Sequence, residues 1–96
     1  MIQDRYFEEL QKFRMELINY THNVREQLQR YLDRTIEHLM SAKNLELDRT
    51  SSLLDDIVME LFELDRDLSF LVLLLMKLEI DINRDFAWDR IKRGRE

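Results

Sequence analysis

The chain has no proline, and its only glycine is Gly94, close to the carboxyl end. Tight turns and strand boundaries are usually built from these two residue types, so a turn-rich or β-rich fold is disfavoured. The chain also lacks cysteine, which excludes disulfides and thiolate metal sites and is typical of an intracellular, cytoplasmic protein. Glutamate, leucine, arginine and aspartate dominate instead, a composition typical of long helices.

Long apolar runs are scarce as well. The uncharged stretch LSFLVLLLM covers only residues 68–76, whereas a bilayer-spanning helix needs roughly 20 apolar residues. The first ten residues, MIQDRYFEEL, have no basic region followed by an apolar region, so we expect neither a secretory signal nor a membrane span. The net charge of −5 argues against nucleic-acid binding by the surface as a whole.

Apolar residues recur every three or four positions in the first half of the chain, which predicts one face of an amphipathic helix. The predicted inward face is Tyr6, Leu10, Phe13, Leu17, Tyr20, Val24, Leu28, Tyr31, Thr35 and Leu39. The pattern keeps its phase through residues 18–24, although Asn23 and Glu26 could cap a new helix there. We therefore predict a continuous first helix over about residues 2–43, with a break or kink near residues 19–23 as the alternative.

The connection is predicted over residues 44–51, with Asn44 as the C-cap of the first helix and Ser51 or Ser52 as the N-cap of the second. The second helix should then run from about residue 52 to 91, followed by a basic tail over residues 92–96. A short connection makes the helices antiparallel neighbours. The predicted fold is thus a single all-α domain over residues 1–96, a coiled-coil-like helical hairpin, with one uninterrupted helix as the competing arrangement.

The second helix contains two interleaved series of leucine and isoleucine at seven-residue spacing. One is Leu54, Leu61, Leu68, Leu75 and Ile82, and the other is Ile57, Leu64, Leu71 and Leu78. Such a pattern predicts a coiled-coil seam against the first helix.

Further large apolar residues lie outside that predicted seam, and in a lone hairpin they would face water. The predicted interface consists of Phe62, Phe70, Leu73, Leu74 and Ile80. We expect two hairpins to pair through these residues as a dimeric four-helix bundle, because symmetric dimers are the commonest assemblies. Another helical protein as the partner, or a first helix that wraps around the second, are the alternatives.

Charged residues flank the predicted seam at one heptad position. If the chain folds back near residue 47, Glu79 lies near Arg14, and Asp65 lies near Arg25 or Arg30. We predict that Arg14 and Glu79 form an ion pair that fixes the register of the two helices. The alternative is that both charges simply extend into water.

Catalytic and metal-binding patterns are weak. His22 and His38 are sixteen residues apart on one helix, so they cannot share a metal within it. Asp56, Glu60, Glu63 and Asp67 form an acidic stripe, but the first helix offers no matching acidic pair, so a solvated face is the interpretation. We expect no enzyme activity, no cofactor, no metal and no small-molecule substrate.

The last part of the chain combines aromatic and basic residues. Trp88, Arg90, Lys92, Arg93 and Arg95 form a possible second-partner site, although cations at a helix C-terminus are also explained by the helix dipole. The predicted function is non-enzymatic oligomerisation, or an adaptor or scaffold role, through helix–helix recognition. The alternative is a small nucleic-acid-binding regulator that uses the basic tail.

Overall fold

The structure, a computed structural model, describes residues 2–95 and the side chains of residues 4–94. Two helices, α1 (Ile2–Asn44) and α2 (Asp48–Arg95), pack against each other as a hairpin. The predicted all-α hairpin is thereby confirmed. Residues 18–24 are helical throughout, so the alternative helix start near Asn23 does not occur.

The connection is shorter than predicted and covers only residues 45–47. Leu47 N–H donates to the Ala42 carbonyl at 2.9 Å and Glu46 N–H donates to the Lys43 carbonyl at 3.1 Å. These two bonds form a Schellman motif. In this motif, the residue that precedes the donor of the longer-range bond, here Leu47, adopts the left-handed backbone conformation. That residue is Glu46, with φ of 57°. Asn44 is therefore the last helical residue of α1. The left-handed conformation that ends the helix belongs to Glu46 and not to Asn44.

The predicted N-cap of the second helix is also wrong. α2 begins at Asp48, so Ser51 and Ser52 lie inside it. The buried Ser51 hydroxyl donates back to the Leu47 carbonyl at 2.8 Å, which is the bond a serine makes within a helix. Asp48 places a negative charge in the first turn, where the helix dipole favours it.

The chain divides into two compact units, and both helices contribute to each. The open-end unit contains the residues up to Thr21 and those from Phe70 onward, and the loop unit contains His22–Ser69. In each unit, "seam" denotes the buried and half-buried residues of one helix that recur at alternating three- and four-residue spacing and face the other helix.

In the open-end unit, the seam combines apolar packing with a polar network. The rings of Phe7 and Phe86 have centroids 4.5 Å apart at 54°, a tilted aromatic contact. Thr21 is fully buried, and its hydroxyl donates to the Leu17 carbonyl. The seam residues of this unit are Phe7, Gln11, Arg14, Ile18 and Thr21 in α1, and Val72, Leu75, Glu79, Ile82, Phe86 and Asp89 in α2.

The polar network connects the two helices through four side chains. Arg14 Nη2 lies 3.3 Å from Glu79 Oε1, and Arg14 Nε donates to Gln11 Oε1 at 3.0 Å. Gln11 Nε2 in turn donates to Asn83 Oδ1 at 3.2 Å. The Arg14–Glu79 pair thus joins the helices as expected, while its role in fixing the register stays a prediction.

In the loop unit, the seam also pairs an arginine of α1 with an acid of α2. Arg25 Nε lies 3.3 Å from Asp65 Oδ1, and Leu32, Leu39 and Ala42 are buried. The seam residues of this unit are Arg25, Leu28, Leu32, Thr35, Leu39 and Ala42 in α1, and Ser51, Leu54, Val58, Leu61, Asp65 and Leu68 in α2.

One of the two predicted series in α2 does not belong to the seam. Leu54, Leu61, Leu68, Leu75 and Ile82 face α1 as predicted. The second series lies at the edge of the seam: Ile57 and Leu64 are 46% and 50% exposed while Val58 and Asp65 are half-buried, and Leu71 and Leu78 are half-buried. This rotation brings Asp65 and Glu79 to the arginines of α1.

The predicted inward face of α1 is shifted in the same way in the open-end unit, whereas Leu28, Thr35 and Leu39 of the loop unit face α2 as predicted. Tyr6, Phe13 and Tyr20 are each more than half exposed, and the residues that follow them, Phe7, Arg14 and Thr21, face α2. Leu39 is the one predicted inward residue of α1 that is fully buried. The arginines and threonine of the seam replace the aromatic residues that the apolar pattern favoured.

Substituting Glu46 by glycine should raise the free energy of unfolding by up to about 1 kcal/mol, because glycine has no Cβ to clash in the left-handed conformation. Part of the gain is offset by the greater freedom of glycine in the unfolded chain. Denaturant unfolding of Glu46→Gly and Glu46→Ala measures the effect, since the alanine variant removes the carboxylate but keeps the Cβ. A glycine variant no more stable than the alanine variant would contradict the explanation.

A double-mutant cycle of Arg14→Met and Glu79→Leu should give an interaction free energy of about 0.5–1 kcal/mol. The Arg14 side chain is only 8% exposed, but that of Glu79 is 45% exposed, so water screens the pair. The matched control is the cycle of Arg5→Met and Glu9→Leu, whose side chains are 82% and 66% exposed. Equal coupling in the two cycles would show that the seam pair is no more than a surface contact.

Candidate interaction surfaces

Among the described residues, no group of three or more histidine, aspartate or glutamate side chains is placed to hold a metal ion. Asp56, Glu60, Glu63 and Asp67 are all exposed, as expected of a solvated stripe. His22 and His38 are exposed as well.

The loop unit has an open hollow of about 430 Å³ on one side of the helix pair. It is lined by His22, Arg25, Glu26, Gln29 and Asp65. Its guanidinium and one of its carboxylates are already engaged with each other, because Arg25 donates to Asp65. Arg25 and Asp65 therefore face the solvent in the hollow as a pair that is already formed.

A broad apolar surface lies on one side of the hairpin, formed by the residues that immediately precede seam residues. Because the helices are antiparallel, these preceding residues lie on the same side in both of them. The structure supports this for Tyr6, which lines one hollow together with Asp85 and Phe86. We call this surface the aromatic–leucine face.

In the open-end unit, the aromatic–leucine face consists of Tyr6, Leu10, Phe13, Leu17 and Tyr20 from α1 and Leu71, Leu74, Leu78 and Trp88 from α2. Its counterpart in the loop unit consists of Val24, Tyr31, Leu53, Ile57 and Leu64. Most residues of the two regular stripes that the sequence places inward form this face, whereas Leu28, Thr35 and Leu39 lie in the seam as predicted.

The residues that immediately follow seam residues form a second surface on the other side of the hairpin. In the open-end unit it includes Met15, Leu73, Met76 and Ile80. Met15 Sδ lies 3.5 Å from Arg14 Nη2, the group that also contacts Glu79 of α2. In the loop unit this surface includes Ile36, Met40, Met59 and Phe62. We call it the methionine flank, because every methionine whose side chain the structure describes lies on it.

The five residues of the predicted interface are all 47% to 63% exposed, but they do not share one surface. Leu74 belongs to the aromatic–leucine face. Leu73 and Ile80 belong to the methionine flank of the open-end unit, and Phe70 lies at the outer edge of α2 beside them. Phe62 lies on the methionine flank of the loop unit. The predicted single patch is therefore two surfaces.

In the predicted second-partner site at the end of α2, two of the basic residues contact neighbouring side chains of the same helix. Lys92 Nζ lies 5.8 Å from the centroid of the Trp88 ring, a cation–π contact, and Arg93 Nε lies 3.2 Å from Asp89 Oδ2. Arg90 is exposed. The side chain of Arg95 lies outside the described residues.

Tyr6, Phe13 and Tyr20 were missed as surface residues because the apolar pattern placed them inward. The charged residues contained a signal from which the position of the seam could have been predicted. Arg14 and Arg25 match Glu79 and Asp65 when the chain folds back near residue 47, and only a seam through these four charges satisfies both pairs.

No helix within the part of the chain that the structure describes has a stretch long and apolar enough to cross a membrane. Comparisons with protein-family models, with curated proteins and with solved structures found no match for this chain. Its function must therefore be inferred from its own surfaces.

Proposed function

We propose that this protein is a non-enzymatic oligomerisation or scaffold protein that works by helix–helix recognition. Its aromatic–leucine face packs against the same face of a second copy, and the two hairpins together form a four-helix bundle. The observation that supports this most is the amount of apolar surface that one hairpin leaves in water.

The accessible surface of the chain is 8096 Å², for a mass of 11.9 kDa. A folded monomer of this mass is expected to expose only about 5,900 Å². The excess of about 2,000 Å² per chain is of the size that an obligate partner covers.

The aromatic–leucine face accounts for a large part of this excess. In the open-end unit, Tyr6, Phe13, Tyr20, Leu74 and Trp88 are between 47% and 67% exposed. With roughly 200 Å² for each whole side chain, these five expose about 550 Å². That alone is near the upper end for the largest apolar patch of a monomer. Two copies would bury about 1,100 Å² through these residues, close to a standard interface.

The core within one chain is small in comparison. Among the described residues, the buried apolar side chains are Leu32, Leu39, Ala42, Leu75 and Ile82. The remaining buried positions of the seam are Arg14, Thr21 and Ser51, which are polar. A second hairpin would give the half-buried leucines on both sides of the seam the apolar neighbours that they lack.

The alternative of nucleic-acid binding has less support. It depends on the basic end of α2, where Lys92 lies over Trp88 and Arg93 is paired with Asp89. The net charge of −5 also opposes approach to a phosphate backbone.

Adjacent leucines on opposite sides of α2 allow a matched test. Leu74→Glu should weaken the dimer at least a hundredfold, because a charge would be buried where two apolar faces meet. Leu73→Glu makes the same chemical change on the methionine flank and should leave a mass of two chains or more. Phe13→Glu should act like Leu74→Glu from the other helix.

The measurement is the molar mass of the parent and the three variants by light scattering across a range of concentrations, with circular dichroism to verify that each stays helical. A parent mass of 11.9 kDa at every concentration would exclude the proposed function. If Leu73→Glu dissociates the dimer and Leu74→Glu does not, the dimer interface lies on the methionine flank, and the proposed interface is wrong.

A further inference from the structure

The methionine flank remains exposed in the proposed dimer, since it lies on the opposite side of the hairpin from the aromatic–leucine face. In the open-end unit, Leu73, Met76 and Ile80 are each more than half exposed, and Phe70 adjoins them at the outer edge of α2. In the loop unit, Met40, Met59 and Phe62 are exposed to a similar extent. Each unit therefore has a second apolar surface without a partner.

The charges on the α2 part of this flank have one sign in the open-end unit, whereas Glu8, Glu9 and Glu16 lie on its α1 part. On the methionine flank and outer edge of α2, described residues from Phe70 to Gly94 include the cations Lys77, Arg84 and Arg90 and no acidic residue. The acids of the same segment, such as Asp81 and Asp85, lie towards the seam or the aromatic–leucine face. Arg84 is paired with Asp81 at 2.8 Å, which leaves Lys77 and Arg90 as the available cations.

The loop unit has the opposite sign at the corresponding positions. Between Ser52 and Ser69, the methionine flank and outer edge of α2 include Asp55, Asp56 and Glu63, with Arg66 as their single cation. On α1, Glu26 and Asp33 lie on the same side together with Lys43. The flank of α2 is therefore basic in the open-end unit and acidic in the loop unit.

We propose that the methionine flank is a second interface between copies of this chain, through which dimers assemble further. The basic flank of the open-end unit of one copy lies antiparallel on the acidic flank of the loop unit of another. Leucine, isoleucine, phenylalanine and methionine side chains form its apolar centre, and cations of one copy face acids of the other.

Charge complementarity selects a second copy as the occupant. A second copy of the chain itself supplies the apolar helix with acidic neighbours that the basic flank requires. Methionine side chains are flexible and polarisable, so they adapt to a surface of mixed shape. The dimer of the proposed function is the unit that assembles here, and each interface has its own variants.

A charge exchange between two variants tests the proposal. One variant is Lys77→Glu/Arg90→Glu, which makes the open-end part of the α2 flank predominantly acidic, and the other is Asp56→Lys/Glu63→Lys, which makes its loop part predominantly basic. Among the described side chains, these four residues take part in none of the ion pairs, so no such ion pair is lost.

At low salt, the parent should reach a mass above two chains of 11.9 kDa as its concentration rises, and each variant alone should stay at two chains. An equal mixture of the two variants should regain the heavier species, because opposite flanks then meet again. About 1 M salt, where the Debye length is about 3 Å, should return parent and mixture to two chains. Light scattering and sedimentation velocity give the masses.

A mixture that stays at two chains would overturn the proposal, and so would a parent that never exceeds two chains, as expected if the flank serves a different protein or an anionic lipid surface. Leu73→Glu should abolish the heavier species and keep the dimer. Failure of the proposed function is distinct, because Leu74→Glu would then leave the mass of the parent unchanged.

Discussion

The rotation of each helix about its axis decides which side chains form the seam and which lie at its edges. Arg14 with Glu79, and Arg25 with Asp65, place one arginine–carboxylate contact in each unit. A helix has only one rotation that turns a given heptad position inward, so directing these charges to each other fixes which neighbours point out. The tyrosines of α1 and a full series of leucines and isoleucines in α2 are turned to the edge as a result. A hairpin with this rotation therefore has apolar surfaces at its edges.

Much of the fold could be predicted from the sequence because its signals are local. Helical periodicity, the absence of proline and the charges around residues 43–56 define two helices and a connection. The rotation of the helices could not be predicted from apolar periodicity alone, since α2 is apolar on several sides over residues 68–76. A pattern of leucines identifies a stripe that will be buried, but not whether its partner belongs to the same chain. The difference between Leu64 and Asp65 illustrates the limit, because the carboxylate, not the leucine, faces α1.

The surfaces explain the unusual apolar stretch in α2. Leu75 faces α1, and Leu74 would face the proposed second copy. Leu73 and Met76 belong to the methionine flank, which is proposed for further assembly. A helix that is apolar all round is expected to be enclosed on every side. One neighbouring helix cannot enclose it, but a bundle that grows from hairpins can. The division of apolar residues by type, with the tyrosines on one side and the described methionines on the other, is consistent with one interface of defined packing and one of adaptable packing.

The three-residue connection has a further consequence for how copies could join. Glu46 is held in a left-handed conformation that an ordinary residue adopts at a cost, and the interhelix contacts of the seam offset that cost. If the connection straightened into helix, the backbone strain would vanish and the same seam contacts could form between two chains. A short strained hinge of this kind favours exchange of α2 between copies at high concentration. The backbone strain in the turn that closes the hairpin would therefore also favour opening of the hairpin.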